Sequence, residues 1–559
     1  MAPLIARLFS VGLSVSAILR LGHASATGKC EYPSLITATA DELQAGLSDG
    51  CFTSLDLAYV ARIQEVNCTL HMVTQLNPDA WQIAMQLDIE RMTGKSRGPL
   101  HGLPILIKAN LGTKDKLETT AGSYALVGAK VPADSTVAAK LREAGMIILG
   151  KTDLSQWANF RSYNSSNGWS AYGGQTYDAY FPMQDPSGSS SGSGVASDLG
   201  LAFAAIGTET SGSIVSPSEF NNLVGIKPTV GLTSRYLVVP ISERQDTVGP
   251  MARTVKDAAR VLQAIAGKDT NDNYTLTSPF DGSLPDYVGA CKPDGLKGKR
   301  IGIARNVIDL SATNDSAPII AAFNKAVQVI ASAGATIVED ANFTAYATYA
   351  NSSIPETILQ ADFVSDIANY FSELETNPNN IRDLAELRDF TQHFPLEDYP
   401  NRDTGIWDAA LAAGINNTSP EFWPMYQKNL YFGGEGGILG ALERHSLDAV
   451  ILPTGMAYPV SALVGAPLIT VPLGSYPKGT KVEWNSRGDL VEQGPGTPFG
   501  ISFMGAKWSE ESLIEMAYAF EQRTLVRGKL SHYVQPRTEL EDVRGLSGHG
   551  LCSTVNVLG

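Results

Sequence analysis

Two loops rich in serine and glycine are the first segments whose residue types suggest chemistry. One runs from Pro186 to Gly194 and the other from Gly207 to Ile214. Glycine lets backbone N–H groups turn towards a ligand, and an exposed serine hydroxyl can act as a nucleophile. Such loops alone are more often turns or linkers, so a catalytic interpretation needs a base that could activate a serine.

Lys108 is a candidate for that base. It follows the apolar run from Leu103 to Ile107, which has the length and composition of a buried strand. Burial lowers the pKa of a lysine, and a neutral amine can accept a proton near pH 7. On local sequence alone, a solvated lysine at the end of a strand is the favoured interpretation.

Other catalytic devices fit less well. The histidines form no HxH or HExxH pattern of a metal site, and no Gly-Lys-Ser/Thr of a phosphate-binding loop follows the glycines. The run from Gly188 to Gly192 matches the G-x-S-x-G of a nucleophile elbow, but no strand is predicted directly before it. The S-x-x-K pattern from Ser475 to Lys478 lies in a turn rich in Pro and Gly. A serine with lysine as its base is the catalytic option that remains, and it would need neither a metal nor an organic cofactor.

Helices and short apolar strands alternate along the chain. Helical spacing of apolar residues predicts helices over residues 39–66, with Thr39 or Asp41 as N-cap, and over 79–92, 135–144, 195–206, 255–266 and 510–523. Short apolar runs predict strands at 103–107, 146–150, 300–304, 447–453 and 468–472. This alternation favours an α/β fold. Residues 162–197 are predicted to be a long loop, and long loops in compact proteins are usually functional.

Composition and charge limit the classes of partner. The chain has 559 residues, of which 43% are hydrophobic and 18% charged, so a large globular protein is expected. Its net charge of -15 would repel a polyanion, and we expect no nucleic-acid partner. No basic run marks a membrane-surface patch, and no segment after residue 26 approaches the ~18 apolar residues of a membrane-spanning helix. We therefore expect no membrane partner.

Residues 1–26 are predicted to be a secretory signal peptide. Arg7 supplies a basic start, Leu8 to Leu19 is a short apolar stretch, and Ala24 to Ala26 offers a cleavage pattern of small residues. A membrane anchor and a mitochondrial presequence are the alternatives. The prediction is a secreted protein.

Potential glycosylation sites agree with secretion. Asn-X-Ser/Thr sequons, which also occur by chance, begin at Asn67, Asn164, Asn273, Asn314, Asn342, Asn351, Asn416 and Asn417. The five cysteines are odd in number, so at least one is free or intermolecular, and their spacing assigns no pairs.

Several motifs, in this order along the chain, resemble those of the amidase signature family. They are Gly102–Asn110, Gly150–Ser155, Ser187–Gly194, Gly207–Pro217, Gly225–Thr229, Leu468–Pro472 and Gly500–Phe503. The resemblance implies an α/β/α fold with a large mixed central sheet and a single amidase domain over residues 27–559. Within it we expect a signature core at about 40–267, a peripheral variable region at about 270–440 and a return to the core at about 445–530.

The resemblance also implies a catalytic set. Ser213 aligns with the nucleophile that is acylated, Ser189 with the serine that follows a cis peptide bond and bridges to the lysine, and Lys108 with the base. The expected activity is hydrolysis of a carboxamide, in a small molecule or a peptide, to an acid and ammonia or an amine. The expected oxyanion hole consists of the backbone N–H groups of Thr210, Ser211, Gly212 and Ser213.

The chain departs from the family pattern at a few positions. Ala109 replaces a common Asp, Ser187 and Ser191 replace common glycines, and Ser211 replaces a Gly or Asp. Val215 stands where the amidase-type subunits of glutamyl-tRNA amidotransferases have Arg. Within the family, the sequence of the signature core is most similar to that of peptide amidases. The alternatives are a non-catalytic binding protein on the same scaffold and a subunit of a glutamyl-tRNA amidotransferase, and the sequence determines neither the substrate nor the oligomeric state.

Overall fold

The computed structural model describes residues 30–57 and 60–543. The predicted signal peptide over residues 1–26 lies outside the described residues.

The described residues form fifteen strands. They are β1 (Val73–Leu76), β2 (Pro104–Lys108), β3 (Ile147–Thr152), β4 (Trp169–Ser170), β5 (Gly174–Gln175), β6 (Ala204–Glu209), β7 (Val224–Lys227), β8 (Thr247–Ala252), β9 (Arg300–Ile303), β10 (Thr336–Val338), β11 (Ala449–Pro453), β12 (Leu468–Ser475), β13 (Glu483–Trp484), β14 (Val491–Gln493) and β15 (Pro498–Met504).

The α-helices of the described residues surround these strands. They are α1 (Ala40–Ser48), α2 (Val60–Leu70), α3 (Ala80–Met92), α4 (Thr136–Glu143), α5 (Ser191–Asp198), α6 (Val215–Phe220), α7 (Val255–Ile265), α8 (Arg305–Ser311), α9 (Ala317–Ser332), α10 (Tyr346–Tyr349), α11 (Ile354–Glu373), α12 (Leu384–His393), α13 (Gly405–Ala413), α14 (Phe422–Gly433), α15 (Ile438–His445), α16 (Thr454–Leu463), α17 (Glu510–Thr524) and α18 (Leu540–Val543).

Eleven strands join in one sheet in the order β1-β3-β2-β6-β8-β7-β12-β15-β11-β9-β10. The pairs β2 with β3, β2 with β6, β9 with β10 and β9 with β11 are parallel, and the other pairs are antiparallel. The predicted α/β class with a large mixed central sheet is therefore confirmed. Two of these strands, β9 and β10, come from the region that the sequence predicts to be peripheral.

Both faces of the sheet are covered because its strands are apolar on both sides. In β2, Ile105 and Ile107 belong to the largest hydrophobic cluster, whereas Leu106 belongs to a second cluster. Side chains that alternate along a strand point to opposite faces, so the two clusters are the cores on either side of the sheet. Every residue of β2 is buried. Lys108, the last of them, is thereby carried into the interior.

Most predicted elements are confirmed, with ends that differ by a few residues. The helices at 79–92, 135–144, 255–266 and 510–523 and the five predicted strands all form. Within residues 30–57 and 60–543, no helix combines the length and apolar character needed to cross a membrane.

The predicted helix over residues 39–66 is wrong beyond Ser48. It begins as expected at Thr39, whose hydroxyl accepts a hydrogen bond from the Glu42 N–H, while the Glu42 carboxylate accepts one from the Thr39 N–H at 2.8 Å. Gly50 then adopts a positive φ of 69°, which turns the chain out of the helix. The second half of the predicted helix is the separate helix α2.

Within the described residues, one disulfide joins Cys30 and Cys51. Cys68 and Cys291 are free thiols. Cys552 lies outside the described residues.

The predicted helix over residues 195–206 is also wrong, because its small residues belong to two different elements. The helix α5 starts earlier, within the predicted loop, and the strand β6 begins at Ala204. Gly200 separates them with a φ of 61°, and a Cβ there would lie 2.1 Å from the carbonyl oxygen of Leu35. A conformation that requires glycine therefore ends the helix.

Candidate active site

Lys108 is buried at the end of β2, and its amine contacts polar atoms of the loop before α5 and of strand β6. The Nζ donates to Ser189 Oγ at 2.8 Å, to Thr208 Oγ1 at 2.9 Å and to the Thr208 carbonyl at 3.2 Å. Lys108 is fully shielded from solvent. The structure therefore brings together two residues of the predicted set, Lys108 and Ser189.

Burial changes the acid–base chemistry of this amine. Desolvation lowers the pKa of Lys108 to about 7, against the opposing charges of Asp246 and Glu209, which raise it. A lysine with this pKa has a neutral amine for a large part of the time at neutral pH. Lys108 can therefore accept a proton from the hydroxyl that it contacts.

The loop that carries Ser189 is fixed against the segment after β3. The peptide bond between Gly188 and Ser189 is cis. The Ser189 carbonyl accepts a hydrogen bond from the Ser155 N–H at 3.1 Å, and a Cβ at Gly188 would lie 2.4 Å from Ser155 Oγ. Only glycine fits at position 188, so this close approach sets the position of the serine that follows.

Ser213 lies between β6 and α6, next to the same loop. Its carbonyl accepts a hydrogen bond from the Ser190 N–H at 3.2 Å, and Ser190 Oγ donates to the Thr208 carbonyl at 3.1 Å. Ser213 is 8% exposed, whereas Ser189 is fully buried. Of these two serines, Ser213 is thus the one that retains contact with solvent.

The loop around Ser213 is held by the carboxylate of Glu209. Glu209 accepts hydrogen bonds from the N–H groups of Gly212 at 2.8 Å, Ile214 at 2.8 Å and Val215 at 3.0 Å. The Gly212 N–H, which the sequence predicts to be in the oxyanion hole, is therefore directed to Glu209 in this structure. The N–H groups of Thr210, Ser211 and Ser213 remain predicted oxyanion donors.

Burial raises the pKa of Glu209, whereas the charge of the buried Lys227 and the three N–H donors lower it. Lys227 in turn donates to the Ala466 carbonyl at 2.9 Å. The charge of Lys227 thus favours the carboxylate form of Glu209, and this carboxylate holds the loop backbone.

Polar side chains fill the places where the chain departs from the family pattern. Ser187 Oγ and Ser216 Oγ are 2.8 Å apart, and Ser191 Oγ donates to the Ser187 carbonyl at 2.5 Å. Beside Ala109, Asn110 Nδ2 donates to Thr208 Oγ1 at 2.9 Å. The hydroxyls of Ser187 and Ser191 and the amide of Asn110 thus make hydrogen bonds to other residues of the site.

The structure places four residues here for which the sequence predicts no role: Asn110, Thr208, Glu209 and Asp246. Asn110, Thr208 and Glu209 lie within the motifs named above, whereas Asp246 lies outside them. Glu209 and Asp246 are acidic residues next to runs of small or apolar residues. This is the one feature of the sequence that could have indicated buried carboxyl groups at these positions. Their roles depend on contacts between distant segments, and local sequence does not contain these contacts.

Comparisons with known proteins agree with this geometry. The family model described as Amidase matches residues 55–514. A protein of Arthroderma benhamiae named "Putative amidase" is 60% identical over 537 residues, which cover 92% of this chain and 90% of that protein.

A solved structure and a further relative extend the comparison. The X-ray structure of native peptide amidase from Stenotrophomonas maltophilia superposes with a TM-score of 0.78 at 38% identity, and the match covers 89% of this chain and 98% of that one. One subunit of the glutamyl-tRNA(Gln) amidotransferase from Prochlorococcus marinus is 31% identical over 515 residues, or 88% of this chain and 98% of that protein.

Proposed function

Because this chain belongs to the amidase family and is a hydrolase acting on amides, we propose that it cleaves carboxamides through an acyl-enzyme intermediate on Ser213. The observation that carries the proposal is the 2.8 Å contact between Lys108 Nζ and Ser189 Oγ, made by an amine whose pKa burial lowers to about 7. A lysine in this state can act as a general base.

The first half of the reaction forms the acyl-enzyme. Ser213 Oγ attacks the carbonyl carbon of the amide and gives its proton to Ser189 Oγ, while Ser189 gives its own proton to the neutral Lys108. The tetrahedral oxyanion accepts hydrogen bonds from the loop N–H groups, each typically worth ~3 kcal/mol in the transition state. The ammonium of Lys108 then returns a proton through Ser189 to the departing nitrogen, and ammonia or an amine leaves.

The second half releases the acid. A water molecule attacks the ester carbonyl on Ser213 and gives its proton through Ser189 to Lys108. The returned proton then restores the Ser213 hydroxyl as the carboxylic acid departs. The same two hydroxyls and one amine therefore serve both halves, and no metal ion takes part in the proposed steps.

Peptide amides are the first substrate class to test. The likeness to a peptide amidase over 89% of the chain supports this choice. Aryl acylamides and aliphatic amides form the comparison group. Ammonia release from a peptide amide at a kcat/KM well above that for the other two classes is the expected result, and the opposite ranking would reject the assignment.

Ser213→Ala tests the proposed nucleophile. We expect this variant to fold and to lose at least about 10³-fold in kcat, because no other serine would be acylated. Acid-quenched wild-type enzyme should carry the acyl group on the peptide that contains Ser213, as measured by mass spectrometry. Ser216→Ala removes a hydroxyl three residues along the chain and should keep most of the activity.

Two outcomes would reject the nucleophile. One is undiminished hydrolysis by Ser213→Ala. The other is an acyl group trapped on a different residue.

Ammonia transfer within an amidotransferase complex is the competing function, since one protein of that kind is 31% identical to this chain. Ammonia release by the purified single chain supports the hydrolase. Release that appears only when other subunits of such a complex are added would favour the alternative.

We also propose that the protein is secreted and N-glycosylated. The Cys30–Cys51 disulfide supports this, because disulfides persist mainly in oxidising compartments. The sequon residues Asn164, Asn273 and Asn351 are exposed, as glycosylation requires. Recovery of the chain from the culture medium, with a mass that falls on treatment with an N-glycosidase, is the expected result. Recovery only from the cell interior would contradict the proposal.

A further inference from the structure

A small pocket with both polar and apolar walls includes Thr208, which contacts Lys108. Its volume is about 10 Å³, and we call it the Asp246 pocket. Neither Ser189 nor Ser213 lines it. Its polar lining residues are Asn110, Thr208, Thr210, Arg235, Asp246 and Thr247.

Two oxygen atoms of the residues lining this pocket have unused hydrogen-bonding capacity. Asn110 Oδ1 and Thr247 Oγ1 have no hydrogen-bond partner among residues 30–57 and 60–543. Asn110 is 3% exposed and Thr247 is fully buried, so bulk water does not reach either side chain freely. Buried polar atoms usually have partners, and a pocket of this size with several polar neighbours suits a single water molecule.

Asp246 is the acidic residue that lines the pocket. Its Oδ1 accepts a hydrogen bond from Thr210 Oγ1 at 2.6 Å, and its Oδ2 accepts from the N–H groups of Ile241 at 2.8 Å and Ser242 at 3.1 Å. Burial raises the pKa of Asp246, whereas these three donors lower it. The donors therefore favour the carboxylate form in an interior position.

The side chain of Thr208 both lines the Asp246 pocket and contacts Lys108. Thr208 Oγ1 lies 2.9 Å from Lys108 Nζ and 2.9 Å from Asn110 Nδ2, and both Thr208 and Asn110 line the pocket. Thr208, which contacts the amine, and Thr210, which contacts the carboxylate of Asp246, therefore line one and the same pocket.

We propose that Asp246 is a positioning residue that stabilises the protonated form of Lys108 across this pocket, where one water molecule bound by Asn110 and Thr247 completes the polar connection. The inference rests on the proposed function, in which Lys108 is the base. Asp246 touches neither the substrate nor the reacting atoms. It acts by determining the pH range over which Lys108 can take up and return a proton.

The other charged groups around Asp246 are already engaged. Arg235 faces it and donates to its backbone carbonyl at 3.5 Å, but the guanidinium of Arg235 is paired with Asp272 at 2.6 Å. Asp366 also faces Asp246, and burial raises the pKa of Asp366 to about 8, so this carboxyl is largely neutral near pH 7. The charge of Arg235 also lowers the pKa of Asp246 and so favours its carboxylate form.

Around Lys108, the second carboxylate is Glu209. Three backbone N–H groups donate to Glu209, and the charge of Lys227 lies near it. These groups reduce the effect of Glu209 on the amine. Of the two carboxylates, Asp246 has the larger effect on the pKa of Lys108.

Asp246→Asn tests the proposal through the pH dependence of kcat/KM. Removing the carboxylate charge lowers the pKa of Lys108, so the acidic limb should move to lower pH by about one unit. Below the limb this is about a tenfold gain in the neutral fraction of Lys108. Asp153→Asn is the matched control, because Asp153 is a buried carboxyl that accepts from Ser170 Oγ at 2.7 Å and does not line the pocket. Its limb should stay in place.

Asn110→Asp is a second variant with the opposite expected sign. It adds a carboxylate to the pocket and should move the acidic limb to higher pH. It also keeps the proposal testable if Asp246→Asn does not fold. A limb that stays in place in every variant that folds would overturn the inference, because a merely structural role changes the height of the profile and not its position.

Lys108→Met separates this inference from the proposed function. If Lys108→Met retains activity with an unchanged limb, Lys108 is not the base and the proposed function fails. If Lys108→Met is inactive while Asp246→Asn and Asn110→Asp leave the limb in place, only the role of Asp246 fails.

Discussion

Lys108 and Lys151 are two buried lysines on neighbouring strands, and they differ in what their amines contact. Burial lowers the pKa of each to about 7. Lys108 Nζ donates to Ser189 Oγ at 2.8 Å, whereas Lys151 Nζ donates to the Leu111 carbonyl and to Thr119 Oγ1 at 3.2 Å. A shifted pKa is therefore not sufficient to identify the base, and the contact with a serine distinguishes Lys108.

The comparison of Lys108 with Lys151 leads to a prediction about the pH dependence of kcat/KM. For the wild-type protein, kcat/KM should rise with pH through a limb near 7, because only the neutral amine of Lys108 accepts a proton. Lys108→Met should lower kcat/KM by about 10²- to 10⁴-fold above the limb. Lys151→Met should keep the limb and most of the rate. Initial rates of ammonia release measured across the pH range provide the test.

The assignment of Lys108 would be wrong if the effects were exchanged. A lost limb in Lys151→Met together with a preserved limb in Lys108→Met would identify the other lysine as the base. Thermal unfolding of both variants is the control for folding.

At the scale of elements, the turn from β6 into α6 depends on one carboxylate. Glu209 closes the turn by accepting three N–H groups from the residues that flank Ser213. Those donors are buried, and each would lack a protein partner if the carboxylate were absent. The position of the Ser213 backbone is therefore linked to the charge of a residue four positions earlier.

Glu209→Gln tests this link. The amide keeps the shape of the side chain but loses the charge and one acceptor oxygen, so the turn should shift. We expect kcat to fall by roughly 10- to 100-fold with a smaller change in KM, since a displaced oxyanion donor weakens the transition state more than the bound substrate. Steady-state kinetics on one amide measures both parameters.

Glu219→Gln is the matched control on the helix that follows. Glu219 accepts a hydrogen bond from the Gly500 N–H at 3.1 Å, and burial raises its pKa to about 8. Because Glu219 is already mostly neutral near pH 7, the neutral amide should change kcat little at that pH. Equal losses in the two variants would argue against a specific role of Glu209.

At the scale of the whole molecule, a buried ion pair ties the 380–410 segment to the core. Glu397 and Arg161 are 3.1 Å apart, and both side chains are almost completely buried. Glu397 also accepts from Ser123 Oγ at 2.6 Å and from the Tyr124 N–H at 2.8 Å. Removing the carboxylate would leave the guanidinium of Arg161 buried with its charge less compensated.

Glu397→Ala should therefore lower the free energy of unfolding by about 3–5 kcal/mol, the cost of breaking a buried pair by removing one partner. Urea denaturation followed by tryptophan fluorescence measures the change. Glu386→Ala breaks a pair with Arg382 that is exposed to solvent, and it should have no measurable effect. Equal stability of the two variants would show that the Glu397 pair does not hold the segment.

Much of the fold could be predicted because the signals are local. The apolar run before Lys108 predicted β2, and the capping residues around Thr39 predicted the start of α1. The errors arose where a glycine conformation interrupts an apolar pattern, as at Gly50 and Gly200. At those positions the backbone φ, and not the spacing of side chains, decides where a helix ends.

The candidate site also combines features that local sequence predicts with features that it does not. Its motif residues could be selected from the sequence, but the engagement of the Gly212 N–H by Glu209 could not. Nor did the motifs indicate the pocket that Asp246 shares with Thr208. Both features depend on distances between side chains and backbone, and motif spacing does not specify such distances.

The sequence by itself determined the order of most strands and helices along the chain, the family resemblance and the set of candidate residues, because these follow from hydrophobic period and from motifs of a few residues. Only the tertiary structure decided which lysine meets a serine. Lys108 and Ser189 are 81 positions apart, and β2 lies between β3 and β6 in the sheet, so their contact depends on sheet order and on how the loop before α5 packs against β2. Sheet order depends on the packing of the whole core, which no local pattern encodes.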